Sequence, residues 1–133
     1  MNDIPIEINN ISKTFNKKSK YPVKALEDVT FSVNAGEVTG LIGPNGAGKT
    51  TLIRIMLGFL TADKGNVEVF GTEPDNTDAR RMTGYQADAP FSAKTVSVQS
   101  FLKLHAFLAG LENPMKEIIY VLETFQLTKA GKK

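Results

Sequence analysis

One stretch constrains this chain more than any other: Gly43-Pro44-Asn45-Gly46-Ala47-Gly48-Lys49-Thr50. Before it, Val38-Thr39-Gly40-Leu41-Ile42 is short and mostly apolar on both faces, the pattern of a strand buried on both sides in a parallel sheet. After it, Leu52, Ile53, Met56, Leu57 and Leu60 recur at spacings of three and four and make one apolar helix face. The loop between them matches G-x-x-x-x-G-K-[ST], and each position has a physical task. The glycines let the backbone curl so that successive N–H groups turn toward an anion. A helix starting near Lys49 adds its positive N-terminal end. Lys49 then reaches the β- and γ-phosphates of a nucleotide, and the Thr50 hydroxyl ligates Mg²⁺. Thr51 is placed to donate toward the α-phosphate. Chance produces this match in a chain of this length roughly a few times in a thousand, before strand and helix are counted.

The chain has 133 residues, a length for one domain. Its hydrophobic content of 41% suffices for a packed core. The net charge of +2 is too small to argue for a nucleic-acid partner, and none is expected. Lys13, Lys17, Lys18 and Lys20 cluster, and such a run reads as a solvated loop. The absence of cysteine excludes a disulfide framework and a Cys-based metal site. Met1-Asn2-Asp3-Ile4-Pro5 lacks the basic and apolar segments of a secretory signal. Arg54 interrupts the best apolar run, Leu52 to Leu60, well short of membrane-spanning length. Work at a membrane would therefore go through a partner.

Elsewhere, Ile4, Ile6 and Ile8 alternate, as do Val29, Phe31 and Val33, which is the period of a half-buried sheet. The Lys-rich stretch between them, with Pro22, reads as a hairpin loop. Asp63-Lys64-Gly65-Asn66 reads as a turn, Val67, Val69 and Gly71 as a strand, 72–80 as loop, and Met82 to Ala87 as a further strand. Asp88-Ala89-Pro90 is a turn signal. From Val96 the pattern is helical: Phe101, Leu102, Leu104, His105 and Leu108 lead to Gly110. Asn113-Pro114 opens a second helix as N-cap and first-position proline, with Ile118, Ile119, Leu122 and Phe125 on its apolar face.

The loop extended to Thr51-Leu52 resembles the form used by ABC-transporter ATPases. The flanks agree: Ala25-Leu26-Glu27-Asp28-Val29 upstream, Gly36-Glu37 before the buried strand, and Gly65-Asn66-Val67 with Phe70-Gly71 downstream. The resemblance covers nearly the whole chain and explains the long β-rich lead-in. It implies an α/β fold: a partial P-loop NTPase core with an N-terminal antiparallel β-subdomain and the start of a helical subdomain. The division it suggests is 1–95 for sheet and phosphate-loop core and 96–133 for the helical start. It implies ATP and Mg²⁺ as ligands, held by Asn45, Gly46, Ala47, Gly48, Lys49, Thr50 and Thr51. The family also stacks an aromatic ring on adenine from a strand well before the loop. Phe15 matches that position, Val23 is a further base contact, and Tyr21 is the lesser candidate. The implied partners are a transmembrane permease subunit and a second ATPase domain. The implied location is cytoplasmic, peripheral on the inner membrane face through the permease.

The sequence also departs from the family. Counted from Gly84, the position of the family's Mg²⁺- and water-contacting glutamine holds Asp88, and Gln86 lies two residues earlier. Asp88 is read either as a metal-linked carboxylate or as a turn residue beside Pro90. No apolar strand ends in Asp-Glu and no Leu-Ser-Gly-Gly-Gln-like signature occurs. His105, the single histidine, sits in a helical pattern and does not follow a strand. The ending, Leu127 to Lys133, resembles the stretch shortly before the family signature. The chain thus reads as the first half of the domain, expected to bind ATP rather than hydrolyse it alone. A fold of this kind is expected to be marginal, with the strand Val38–Ile42 and the helix after Lys49 both losing packing partners and exposing apolar area. Two other functional readings stand beside this one: a non-catalytic nucleotide-binding or interaction fragment, and an ABC-type ATPase not coupled to a permease.

Overall fold

In the computed structural model, which describes residues 4–87 and 96–128, the alternating N-terminal segments form β1 (Ile6–Phe15) and β2 (Val23–Val33). The Lys-rich stretch connects them as expected. A third strand, β3 (Lys64–Val69), pairs with the other edge of β1, so the antiparallel sheet has the order β2-β1-β3. The pairing of β1 with β2 shifts register three times, first between Ile8 and Ile11. Ile8 and Ile11 are both fully buried because a bulge separates them. Asn10 and Asp28 adopt φ of 52° and 51° there, which Asn and Asp tolerate better than most residues. The Asn10 side-chain amide donates to Asp28 Oδ1 at 2.7 Å, and the Asp28 N–H to Ser12 Oγ at 3.0 Å. Local polar groups thus replace ladder bonds that the bulge removes.

The apolar face of α1 (Lys49–Met56) lies on this sheet, so the helix after Lys49 keeps the packing partners it was expected to lose. Leu52 and Ile55 are buried among Ile8, Ile11, Leu26, Val67 and Val69, with Met56 and Leu60 packed against the cluster. Each such side chain contributes about 1.5–3 kcal/mol. Ile55, three positions after Leu52 and so on the same helix face, was not among the residues expected there. Residues 72–80, expected as loop, contain most of α2 (Thr77–Met82). Its signals are short but legible: Asn76 caps the Asp78 N–H at 2.8 Å, Asp78 sits in the first turn, and Arg80 and Arg81 in the last. Ala79, 1% exposed, completes the core.

Two expected strands do not form. Val38–Ile42 carries no ladder, and Val38 and Ile42 are 99% and 95% exposed. Met82 ends α2 instead of opening a strand, and 83–87 is irregular. The physical reason is common to both. A strand meant for burial on both faces needs hydrogen-bonding neighbours, and among the described residues the sheet consists of β1, β2 and β3 alone. An apolar groove of about 330 Å³, lined by Ile53, Met56, Val69, Met82 and Tyr85 among others, opens in the same unit. Exposed strand-like apolar segments attract dyes and other chains. The 133-residue chain is therefore expected to bind a hydrophobic reporter dye and to aggregate. Val38→Thr combined with Ile42→Thr should lower both while shifting stability by no more than about 0.5 kcal/mol, because neither side chain is packed. A several-degree fall in Tm for the double variant would show the segment to be part of the core.

Residues Gln86–Lys133 form a separate unit. Its helices among the described residues are α3 (Val98–Leu108) and α4 (Pro114–Thr124), packed through Ala106, Ile118 and Leu122 with Val98 and Leu102. Ser97 caps α3 by accepting from the Ser100 N–H at 3.2 Å. Pro114 opens α4 as expected, but the Asn113 side chain makes no capping bond. Leu104, Leu108, Ile119 and Phe125, expected on apolar faces, are exposed. A pair of helices buries only one stripe on each.

Candidate functional site

The glycine loop has the backbone its sequence demands. Gly46 and Gly48 sit at φ 83° and 87°, the left-handed region. The Ala47 N–H donates to Pro44 O at 3.2 Å, and the first helical bond runs from Leu52 N–H to Gly48 O at 2.9 Å. Gly48 is the residue immediately before α1, so the loop delivers its amides to the helix's unpaired first turn. Lys49, half-buried, curls over the loop and donates through Nζ to the carbonyls of Gly43 (2.6 Å) and Pro44 (2.8 Å). Thr50 and Thr51 follow within the first turn, Thr50 exposed and Thr51 half-buried. Asn45, Gly46 and Ala47 are exposed at the loop's tip. Main-chain N–H groups, one ammonium and two hydroxyls form a donor set that suits a polyphosphate anion.

The sheet fixes where this loop stands. A Cβ on Gly48 would run into the carbonyl oxygen of Ala25 and lie 2.8 Å from Leu26 Cδ2. The loop therefore rests directly on β2. Two residues back along β2, Val23 pairs with Phe15 of β1. The two residues that sequence reading offered for the base, Phe15 and Val23, are thus brought side by side at one end of the hairpin. They are 37% and 53% exposed, open enough to meet a ligand. Tyr21, 73% exposed, lies in the turn beyond them, with the Lys20 ammonium 5.7 Å from its ring centroid.

Two other candidates are placed differently. Asp88 lies outside the described residues. Gln86 is exposed and donates through Nε2 to its neighbour Ala87 O at 3.2 Å. Among the described residues no group of three or more His, Cys, Asp or Glu side chains could hold a metal ion. Metal ligation at this loop would rest on the Thr50 hydroxyl with ligand oxygens. His105 is exposed on α3 with its ring 4.2 Å from that of Phe101, as its helical pattern implies.

Of the clustered lysines, Lys17, Lys18 and Lys20 are exposed as expected, while Lys13 is sheltered beside Asp63, a residue that sequence reading took as a turn former. Its Oδ1 accepts from Lys17 at 2.9 Å and from Lys13 at 3.2 Å, and its Oδ2 accepts from the Thr14 N–H at 2.8 Å. The Lys17 bond, the Thr14 amide and Lys13 together hold the carboxyl at about 2 against a usual 3.8, with desolvation opposing them. Because the folded-state value is the lower one, the stabilisation is complete above about pH 4 and is lost as pH falls toward 2. Thermal melts across that range should show Asp63→Asn less stable than the parent near neutrality, with the gap closing in acid. A gap that stays constant with pH would remove the carboxylate from the account.

A curled glycine loop ending in Lys-Thr at the head of a helix, seated on an antiparallel sheet, defines a phosphate-loop NTPase core. The sequence profile of the ABC transporter family matches residues 26–133, and the chain belongs to that family. It is 34% identical to the zinc uptake system ATP-binding protein ZurA of Listeria innocua, over 96% of this chain and 51% of that protein. It is 36% identical to the doxorubicin resistance ATP-binding protein DrrA of Mycobacterium tuberculosis, over 98% of this chain and 40% of that protein. Among solved structures, an ATP-binding subunit of an ABC transporter superposes with a TM-score of 0.79 at 28% identity, covering 95% of this chain and 52% of that one. A putative ABC transporter ATP-binding protein from Pyrococcus furiosus gives 0.76 at 28% identity, covering 96% and 60%. The chain spans about half the length of the curated relatives it matches. No helix among the described residues is long and apolar enough to cross a membrane.

Proposed function

We propose that this chain is the nucleotide-binding portion of an ABC transporter ATPase subunit and that its ligand is Mg-ATP. The observation that carries the reading is the seating of Gly48 against Ala25 on the same hairpin that pairs Phe15 with Val23. One strand thereby carries a phosphate-end and a base-end contact two residues apart, roughly 7 Å at strand rise. Asn45, Gly46, Ala47 and Gly48 donate main-chain N–H groups to the phosphates, and Lys49 leaves its two carbonyls for the β- and γ-oxygens. Thr50 ligates Mg²⁺, Thr51 reaches the α-phosphate, and Phe15 stacks on adenine with Val23 at its edge. Asp88 is kept as a metal-linked residue on sequence grounds.

The parent reaction is ATP hydrolysis coupled to transport. These 133 residues bind rather than turn over ATP by themselves, since they contain no Asp-Glu strand to polarise water and no signature to complete a second site. We assign 1–95 to the sheet and phosphate-loop core and 96–133 to the start of the helical subdomain. The partners are a permease subunit and a second ATPase domain, and the permease would hold the protein at the cytoplasmic membrane face. The relatives' names span zinc uptake, oligopeptide transport and drug resistance, so they select no transported substrate. The test is equilibrium titration of the folded chain with Mg-ATP beside a Lys49→Ala control. No saturable binding at millimolar nucleotide overturns the proposal.

A further inference from the structure

Phe15 lies where the sheet runs out of support. The β1–β3 ladder ends at Ser12 paired with Lys64, so from Lys13 onward β1 has only β2 beside it. Two-stranded hairpin ends are marginal by themselves in water. Immediately after Phe15, Asn16 turns to φ 53° and the chain leaves the strand through the Ser19 N–H to Asn16 O bond at 2.8 Å. A ring that must meet a base in one orientation is thus placed on a segment that would otherwise fray.

One side chain stands in for the missing strand. Asp63 donates its own N–H to Ser12 O at 2.8 Å and then turns its carboxylate along β1. Oδ2 takes the Thr14 N–H, on the residue before Phe15, and Oδ1 takes the Lys17 ammonium, two residues after it. The same oxygen holds Lys13 Nζ, which also donates to Thr61 O at 2.6 Å and lies 5.8 Å from the Phe15 ring centroid. The carboxylate therefore grips the chain on both sides of the ring and fixes a cation against it. With 17% of its side chain exposed, Asp63 is sheltered enough for these contacts to hold.

Resting on the nucleotide reading above, we infer that Asp63 is a positioning residue for base recognition: it sets the Phe15 ring for stacking without touching the nucleotide. Its loss should weaken base-dependent affinity and spare phosphate-dependent affinity, because Lys49 and the glycine loop are held through β2 instead. This differs from a purely structural role, which would weaken every ligand alike by depleting the folded population.

The experiment compares Mg-ATP with Mg-tripolyphosphate, which has no base, on the full 133-residue chain by calorimetry. Asp63→Ala should weaken Mg-ATP roughly fivefold or more, the lower end of base–aromatic stacking. Mg-tripolyphosphate should stay within about twofold. Phe15→Ala should show the same selective loss, and Asp63→Ala added to Phe15→Ala should cost nothing further for Mg-ATP. Lys17→Met, at an exposed site, gives a smaller selective loss and serves if Asp63→Ala does not fold. Equal loss of both ligands, or an undiminished Asp63 effect in the Phe15→Ala background, overturns the positioning role alone. Phe15→Ala that leaves the preference for ATP over tripolyphosphate unchanged overturns the stacking reading, and the positioning role with it.

Discussion

Replacing Lys49 with alanine is expected to lower Mg-ATP affinity by roughly 10- to 100-fold while leaving the fold intact. The ammonium is bound to the Gly43 and Pro44 carbonyls, both within its own loop. Charge-assisted hydrogen bonds are worth about 1.5–3 kcal/mol each, and here they transfer to phosphate oxygens on binding. Lys49→Arg should recover little, because the longer planar guanidinium cannot occupy the arc that the ammonium fills. Calorimetric titration checks affinity, and a circular-dichroism melt checks the fold. An unchanged affinity in folded Lys49→Ala would sink the phosphate-loop assignment.

The second large effect concerns stability. Gly48→Ala is expected to destabilise the chain by about 2–5 kcal/mol. About 1–2 of this comes from forcing a Cβ into left-handed backbone, and about 1–3 from driving it into β2 at Ala25 and Leu26. Gly46→Ala is the internal control. It has nearly the same φ, 83° against 87°, but a Cβ there meets nothing within 4 Å. It should cost only the first contribution. Urea titration of both variants separates conformation from contact. Equal losses would mean that the loop does not rest on the sheet.

The parts of this fold that were legible in the sequence are those governed locally. The glycine loop and the helix after it follow from backbone freedom and a periodic apolar face. The hairpin follows from alternation, whereas the pairing of Phe15 with Val23 is a matter of register that only the folded sheet reveals. What was illegible depends on residues far apart in the chain. Val38–Ile42 reads as a buried strand, yet strand pairing needs neighbours that the segment itself does not contain. The bulge at Asn10 shifts the buried face from Ile8 to Ile11, and only the packed sheet reveals it. Asp63 reads as a turn residue because its partners, Lys13, Thr14 and Lys17, lie some fifty positions earlier. A carboxylate between lysines in space is invisible to a scan along the chain. α2 is a different case, since its cap and charges were present and only its brevity hid them.

The contact between Gly48 and β2 makes the hairpin a ruler. If the proposed site is right, the span between base and phosphate is measured in strand rise, a fixed quantity, rather than left to a hinge. On the proposed reading, helices elsewhere in the protein could change without altering that distance.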